Sequence, residues 1–235
     1  MENKTENNLF KWKHFESHII LLCIRWYLKY PLSYRNLVEM MDERGLSVSH
    51  TTIMRWVCQY SPVLNRRIRK HLKPTNDSWR VDETYIKIKG KWCYLYRAVD
   101  SDGATIDFWI SANRDKKSAK KFFKKALKAS HNKIPRVITT DKYYTYEILI
   151  NELIYDCNLS CNTQHRQIKY LNNIVEQDHR FIKRKVKPML GFKSFKSACS
   201  TISGIEIMHM LHKNQAGKMS PFEEKEFINQ LMNVG

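Results

Sequence analysis

Glu176 stands near the head of a basic run. The stretch VEQDHRFIKRKVKPML at 175–190 reads as a helix opening beside Arg180, Lys183, Arg184, Lys185 and Lys187. At 3.6 residues per turn, Glu176, Arg180, Lys183 and Lys187 fall along roughly one face. Taken alone, an acid there suits the helix dipole and makes i,i+4 pairs, which describes a solvated structural face as well as a functional one. Two other acids are placed differently. Asp82 falls inside the alternating segment WRVDETYIKIKG, and Asp141 closes the short apolar run RVITTD. Carboxylates near strand ends of an open α/β sheet are where such folds often keep their chemistry, provided the elements bring them together.

Those elements can be read from pattern. WRVDETYIKIKG, KWCYLYRAVD and TIDFWIS are rich in strand formers and are separated by turns at Gly90 and SDGA, which predicts three antiparallel strands. DKKSAKKFFKKALKAS follows, with Ala119, Phe122, Phe123, Ala126 and Leu127 on one helical stripe and lysines elsewhere. Because a helix joins the third strand to RVITTD, the fourth strand runs parallel to the first and can lie beside it through a right-handed crossover. A βββαβ order therefore lets Asp82 and Asp141 meet across neighbouring strands.

Before residue 76 the pattern is helical. HFESHIILLCIRWYLKY predicts a mostly buried helix broken by Pro31. YRNLVEMMDERG predicts a second helix ending near Gly45, and Ser49 caps a third, in the outline of a helix-turn-helix. The first residues of the later helix in such a unit face the major groove, which nominates His50, Thr51, Thr52 and Arg55, while Ile53, Trp56 and Val57 pack inward. A plain helical hairpin fits the same pattern. LNRRIRKHLK at 64–73, with Arg66, Arg67, Arg69 and Lys70, reads as a positive connector suited to phosphate, or as an ordinary charged linker. Three segments result: a helical region 1–75, an α/β region 76–190, and helices over 191–235 that pack on it or mediate oligomerisation. In the last segment Ser220, Pro221 and Glu223 form the start of a capped helix.

Composition narrows the partners. The 235 residues are 43% hydrophobic, enough for a real core, and 41 Lys and Arg against 23 Asp and Glu leave a net charge of +18. Such an imbalance opposes compaction and favours a polyanion, with nucleic acid first and an anionic membrane surface second. The longest apolar run, IILLCI, is far too short to span a bilayer, and the polar opening MENKTENNLFKWK lacks the apolar core of a signal peptide. Six cysteines without CxxC pairs argue against a disulfide framework and fit a reducing cytoplasm. Cys157, Cys161 and His165 share a spacing that suggests zinc, but a fourth ligand is missing, so buried thiols are the better reading.

YRNLVEMMDERGLSVSHTTIMRWV, WRVDETYIKIKGKWCYLYRAVD, TTDK and HRQIKYLNNIVEQDHRFIKR together resemble the DDE transposases of bacterial insertion sequences, most closely the insertion sequence 6 family, over nearly the whole chain. A bare D, D, E spacing is weak among 23 acids; 34 residues between Asp141 and Glu176 inside these blocks are specific. Lys183, seven residues after Glu176, matches the basic residue that accompanies the glutamate in many relatives. Tyr143 and Tyr144 depart from the smaller residues or proline expected after Asp141, which bears on the loop and leaves the acid in place.

The resemblance implies a ribonuclease H-like catalytic domain in which Asp82, Asp141 and Glu176 hold divalent metal. Three gathered carboxylates repel by about 4 kcal/mol per pair at 4 Å with an effective dielectric of 20, and cations relieve that strain. Hard oxygen donors suit Mg²⁺, with Mn²⁺ as substitute, and two ions roughly 3.5 to 4 Å apart can activate an attacking oxygen and stabilise a departing one. Arg180 and Lys183 then become phosphate contacts, and His179 becomes a helix-surface residue, since metal activation of water needs no imidazole base. The implied partner is double-stranded DNA, both the element's terminal inverted repeats and the target, handled by a homodimer or higher oligomer at the nucleoid in bacterial cytoplasm. The family tendency is replicative joining of donor and target. Two rival readings are a DNA-binding regulator with a non-catalytic α/β domain, and a nuclease acting on RNA in hybrids.

Overall fold

Strand-forming alternation does most of the work in the central sheet. In the computed structural model, which describes residues 9–234, β1 (Ser78–Ile88), β2 (Lys91–Asp100) and β3 (Thr105–Ser111) form an antiparallel meander. Most of the polar opening segment read above for a targeting signal lies outside those residues. After β3, α4 (Lys116–Lys128) is capped by Asp115 and buries Ala119, Phe122, Phe123 and Ala126. It returns the chain to β4 (Val137–Thr139), which pairs in parallel with Ser78–Arg80 of β1. Then α5 (Tyr144–Tyr155) leads to β5 (Gln164–Arg166), parallel to β4. The strand order β3-β2-β1-β4-β5, with the first three antiparallel and the last two parallel, is the ribonuclease H-like arrangement.

Because β4 has only three residues, β1 beyond Arg80 lacks a strand on that side. Its far end is met by the chain after α6 (Asn173–Val186), where Phe192 bridges Ile88 and exchanges 2.8 Å backbone hydrogen bonds with Lys87 and Lys89. Gly191 permits this approach: its φ is +102°, and a Cβ would sit 2.9 Å from the Lys87 carbonyl oxygen. Between these contacts, residues 82–86 of β1 have no strand beside them at that edge, and Asp82 lies among them.

Each face of the sheet carries a core. Trp79, Val81, Tyr96, Ala98 and Ile106 pack against α4 and α5. Ile86, Ile88, Cys93, Leu95 and Phe108 pack on the helical side, in one cluster with α1 (Ser17–Lys29), α2 (Tyr34–Asp42), α3 (His50–Ile68), α7 (Phe195–His212) and α8 (Pro221–Leu231). Helix α7 is buried nearly all round and touches α1, α3, α6 and β3. The front helices and the C-terminal helices therefore share one core with the sheet.

Helix α3 runs further than the sequence pattern suggested. It continues through Pro62 to Ile68, so the first half of the stretch read as a connector is helical, and a short 3-10 turn, Arg69–His71, follows. Leu64 and Ile68 extend the buried stripe of Ile53, Trp56, Val57 and Tyr60, and that packing outweighs the backbone hydrogen bond forfeited at Pro62.

Candidate active site

Asp82 lies mid-strand in β1, level with Arg97 of β2, and Asp141 stands two residues past the end of β4. The parallel pairing of β1 and β4 brings the two acids together, as the strand order requires. One carboxylate oxygen each from Asp82, Glu83 and Asp141 lie within 4.8 Å of one another. Glu83 was not singled out from the sequence, because strand alternation assigns it to the face opposite Asp82. Its immediate adjacency to Asp82 was the only available signal.

Glu83 is held from the α4 and α5 side. The Tyr146 hydroxyl donates to Oε1 at 2.5 Å, and Arg114 Nη2 donates to Oε2 at 3.1 Å. The same Arg114 nitrogen reaches Asp141 Oδ2 at 2.9 Å, and the guanidinium rests 4.2 Å from the centre of the Tyr143 ring. Burial pushes the Glu83 carboxyl up despite these partners. Burial also works against the Arg114 charge, but Glu83 and Asp141 outweigh it and raise the Arg114 pKa. Arg114 thus acts as an internal counter-ion to two of the three clustered acids.

Glu176 does not join that cluster. It is exposed in the first turn of α6 and lines, with Asp82, Asn173, Arg180 and Lys183, a cleft of about 490 Å³. The start of α6 is tied to β1 by Arg80 Nε donating to the Leu171 carbonyl at 3.0 Å and Asn172 Nδ2 donating to the Val81 carbonyl at 3.4 Å. Glu176, Arg180 and Lys183 therefore border the same opening as Asp82, with the bases exposed as the helical spacing implied.

His179 is not a surface residue. It is 3% exposed, on the buried stripe of α6 with Val175, Ile182, Lys185 and Val186. The spacing of Val175, Ile182 and Val186 selects that face, and a polar side chain is carried inward because partners await it. Its Nε2 lies 3.2 Å from Asp82 Oδ2, and its Nδ1 lies 3.4 Å from Arg97 Nη1. Arg97 is wholly buried and forms a forked pair with Glu206 at 2.7 and 2.9 Å. It also reaches Asp178 at 2.7 Å, and Asp178 takes His209 and Lys213 at 2.6 Å each. Burial opposes the Asp178 charge, but His209, Arg97 and Lys213 together hold its carboxyl far below the usual range.

A family model described as a DDE domain, DDE_Tnp_IS240, matches residues 76–215. The transposase for insertion sequence-like element IS431mec of Staphylococcus aureus is 41% identical over 207 residues, 88% of this chain and 89% of its own. The chain belongs to the DDE transposases of the insertion sequence 6 family. The transposase for insertion sequence element IS257 in transposon Tn4003, also from Staphylococcus aureus, matches at the same identity and coverage. Among solved structures, the HTLV-2 integrase catalytic core domain in complex with magnesium is 19% identical, covering 64% of this chain and 93% of that one with a TM-score of 0.44.

As a DDE transposase the protein is a polynucleotidyl transferase that acts on DNA, and the family implies dependence on divalent metal. The donor set fits such an ion, since the clustered oxygens are all carboxylate, the hard donors that Mg²⁺ and Mn²⁺ take. No helix among the described residues is long and apolar enough to cross a membrane.

The other nominated DNA contacts fall into two groups. His50, Thr51 and Arg55 are exposed at the start of α3, while Thr52 is half-buried and shares the Ser49 cap, with its backbone N–H 3.2 Å from Ser49 Oγ. Arg66 and Lys70 are exposed. Arg67 instead donates to the Leu231 carbonyl at 2.6 Å, and Arg69 forms a two-nitrogen pair with buried Asp107 at 2.6 and 3.2 Å. In this transposase those two arginines join α3 to α8 and to β3.

Proposed function

We propose that Asp82, Asp141 and Glu176 hold two Mg²⁺ ions, replaceable by Mn²⁺, in a transposase that binds the terminal inverted repeats of its insertion sequence and transfers the cut ends to target DNA. The observation that carries this reading is the approach of Asp82 and Asp141 within 4.8 Å across parallel strands, beside a cleft bordered by Glu176, Arg180 and Lys183. When bound, the ions would polarise the scissile phosphate and favour both the attacking and the departing oxygen.

The chain's own groups do the rest. Glu176 is exposed, on a helix anchored to β1, and its carboxylate borders the cleft that Asp82 lines. Arg180 and Lys183 on the same face draw the DNA backbone over the acids. Arg114 pairs with Glu83 and Asp141 and offsets their mutual repulsion. His50, Thr51, Thr52 and Arg55 read repeat sequence from the major groove, and Arg66 and Lys70 hold phosphate. Two ends must be joined to one target, which calls for a dimer or larger assembly, working on the nucleoid in bacterial cytoplasm.

The test is replacement of Asp82, Asp141 or Glu176 by Ala, followed by strand-transfer and binding assays on DNA carrying the element's ends. Transfer vanishes in each variant while end binding survives. Transfer retained by any of the three refutes that residue's place in the site. Sequence-specific binding without metal-dependent cleavage in the unaltered protein would instead favour a regulator.

A further inference from the structure

We infer that His179 is a positioning residue for Asp82, held by Arg97 so that its Nε2–H donates to Oδ2 and sets the direction of the carboxylate. This rests on the proposed metal role of Asp82. The first step is a matter of donors and acceptors. A guanidinium has only N–H groups to offer, so the 3.4 Å approach of Arg97 Nη1 to His179 Nδ1 is attractive only if Nδ1 presents a lone pair. The ring proton then sits on Nε2, which faces Asp82 Oδ2 at 3.2 Å, and a carboxylate accepts it.

The arrangement is rigid because every member is occupied. Arg97 is wholly buried between Glu206 and Asp178, and both carboxylates hold it in place. His179 is 3% exposed, packed on β1 and β2 by the apolar residues of α6. Asp82 is therefore oriented from behind the sheet face that carries α6, whereas Asp141 is held by Arg114 from the α4 side. Outer partners of this kind fix the direction of a ligand's lone pairs, and their loss commonly weakens metal binding or activity by about 10- to 100-fold. With His179 absent, the Asp82 carboxylate is free to rotate away from Asp141.

The test uses the full chain, with Mn²⁺ alone as the probe. The ¹⁵N spectrum of the imidazole in the unaltered protein is expected to show a protonated Nε2 and a bare Nδ1; a proton on Nδ1 overturns the inference. His179→Leu, which keeps bulk and removes both nitrogens, is expected to weaken Mn²⁺ binding in calorimetry by about 10- to 100-fold. His179→Gln, whose amide can both donate to Asp82 and accept from Arg97, is expected to recover most of that loss. A Leu variant that is folded and binds Mn²⁺ as well as the unaltered chain overturns the inference, as does a Gln variant no better than Leu. If the Leu variant does not fold, the spectrum decides, and a Gln variant that binds Mn²⁺ about 10-fold or more weakly than the unaltered chain overturns the inference. Asp82→Asn is run alongside: if it binds Mn²⁺ undiminished, the metal role of Asp82 fails, and this inference with it, whereas weakened binding there with no change in His179→Leu condemns only the inference.

Discussion

Two glutamates beside the acidic pair invite different jobs, and their hydrogen bonds separate them. Both oxygens of Glu83 are already engaged, one by Tyr146 and one by Arg114, and the side chain is buried. Glu176 carries an exposed carboxylate at the rim of the cleft. In the proposed arrangement Glu83 shapes the site and Glu176 is the acid left to take a cation. Glu83→Gln keeps the Tyr146 bond and weakens the Arg114 one, so it should cost about 1–3 kcal/mol of stability and leave strand transfer within about tenfold of normal. Glu176→Gln should leave the thermal midpoint almost unchanged and reduce transfer by more than about a hundredfold, beyond what loss of an outer partner produces. Thermal unfolding and transfer assays on the two variants decide; the reverse pattern would make Glu83 the ligand. Asp82, Asp141 and Glu176 were singled out because they sit in sequence blocks with characteristic neighbours; the structure gathers Asp82 with Asp141 and leaves Glu176 at the rim of the cleft. Glu83, Arg114, Tyr146 and His179 were not, since each acts through a partner distant in sequence, and no local pattern announces a contact such as Arg114 with Glu83. His179 was misread because a histidine in a charged run looks solvated until the phase of Val175, Ile182 and Val186 is taken as the buried side.

At the scale of elements, the meander, α4 and the parallel β4 followed from alternation, turn residues and crossover handedness. The elements that escaped are those with weak periodic signals. β5 is Gln164–Arg166, three polar-leaning residues with no alternation to mark them, and it forms because β4 offers a parallel edge. The length of α3 escaped because the charges of 64–73 read as a connector, whereas tertiary packing of Leu64 and Ile68 decides the matter. Helix α7 is the element that joins everything else, and Gly204 sets how closely it can lie. A Cβ at that position would come within 2.6–2.7 Å of both Leu28 methyl carbons and Ser61 Oγ, all in fully buried side chains of α1 and α3. Alanine is favoured over glycine inside a helix by about 1 kcal/mol, but forcing extra volume into a packed core costs about 1–3 kcal/mol. With three atoms to displace, crowding should win. Gly204→Ala is expected to lower stability by about 1–2 kcal/mol in urea unfolding, and an increase in stability would mean that α1 and α3 yield more easily than their burial suggests.

Over the whole molecule, a net charge of +18 sets the field that DNA meets, but not every cation contributes to binding. Arg97 is committed to Glu206 and Asp178, Arg25 and Lys29 to Glu224, and Arg69 with Lys125 to Asp107. These pairs join α1 to α8, the turn after α3 to β3, and β2 to α6 and α7, so part of the basic excess stabilises the fold. The exposed set, including Arg55, Arg66, Lys70, Arg180 and Lys183, is what remains to displace counter-ions from a duplex. Each phosphate neutralised contributes about 0.9 to the slope of log affinity against log salt. Arg66→Ala or Lys70→Ala should therefore weaken binding evenly across DNA sequences and reduce that slope by about 1, with unfolding unaffected. Arg69→Ala should behave differently, because removing it leaves the buried Asp107 with Lys125 as its remaining cation. A loss of roughly 2 kcal/mol in stability is expected there, with little change in the salt slope. Binding measured between low and moderate salt, alongside urea unfolding of the same three variants, distinguishes the two kinds of arginine. A slope that falls for Arg69→Ala as much as for Arg66→Ala would show that the Asp107 pair opens to take up DNA.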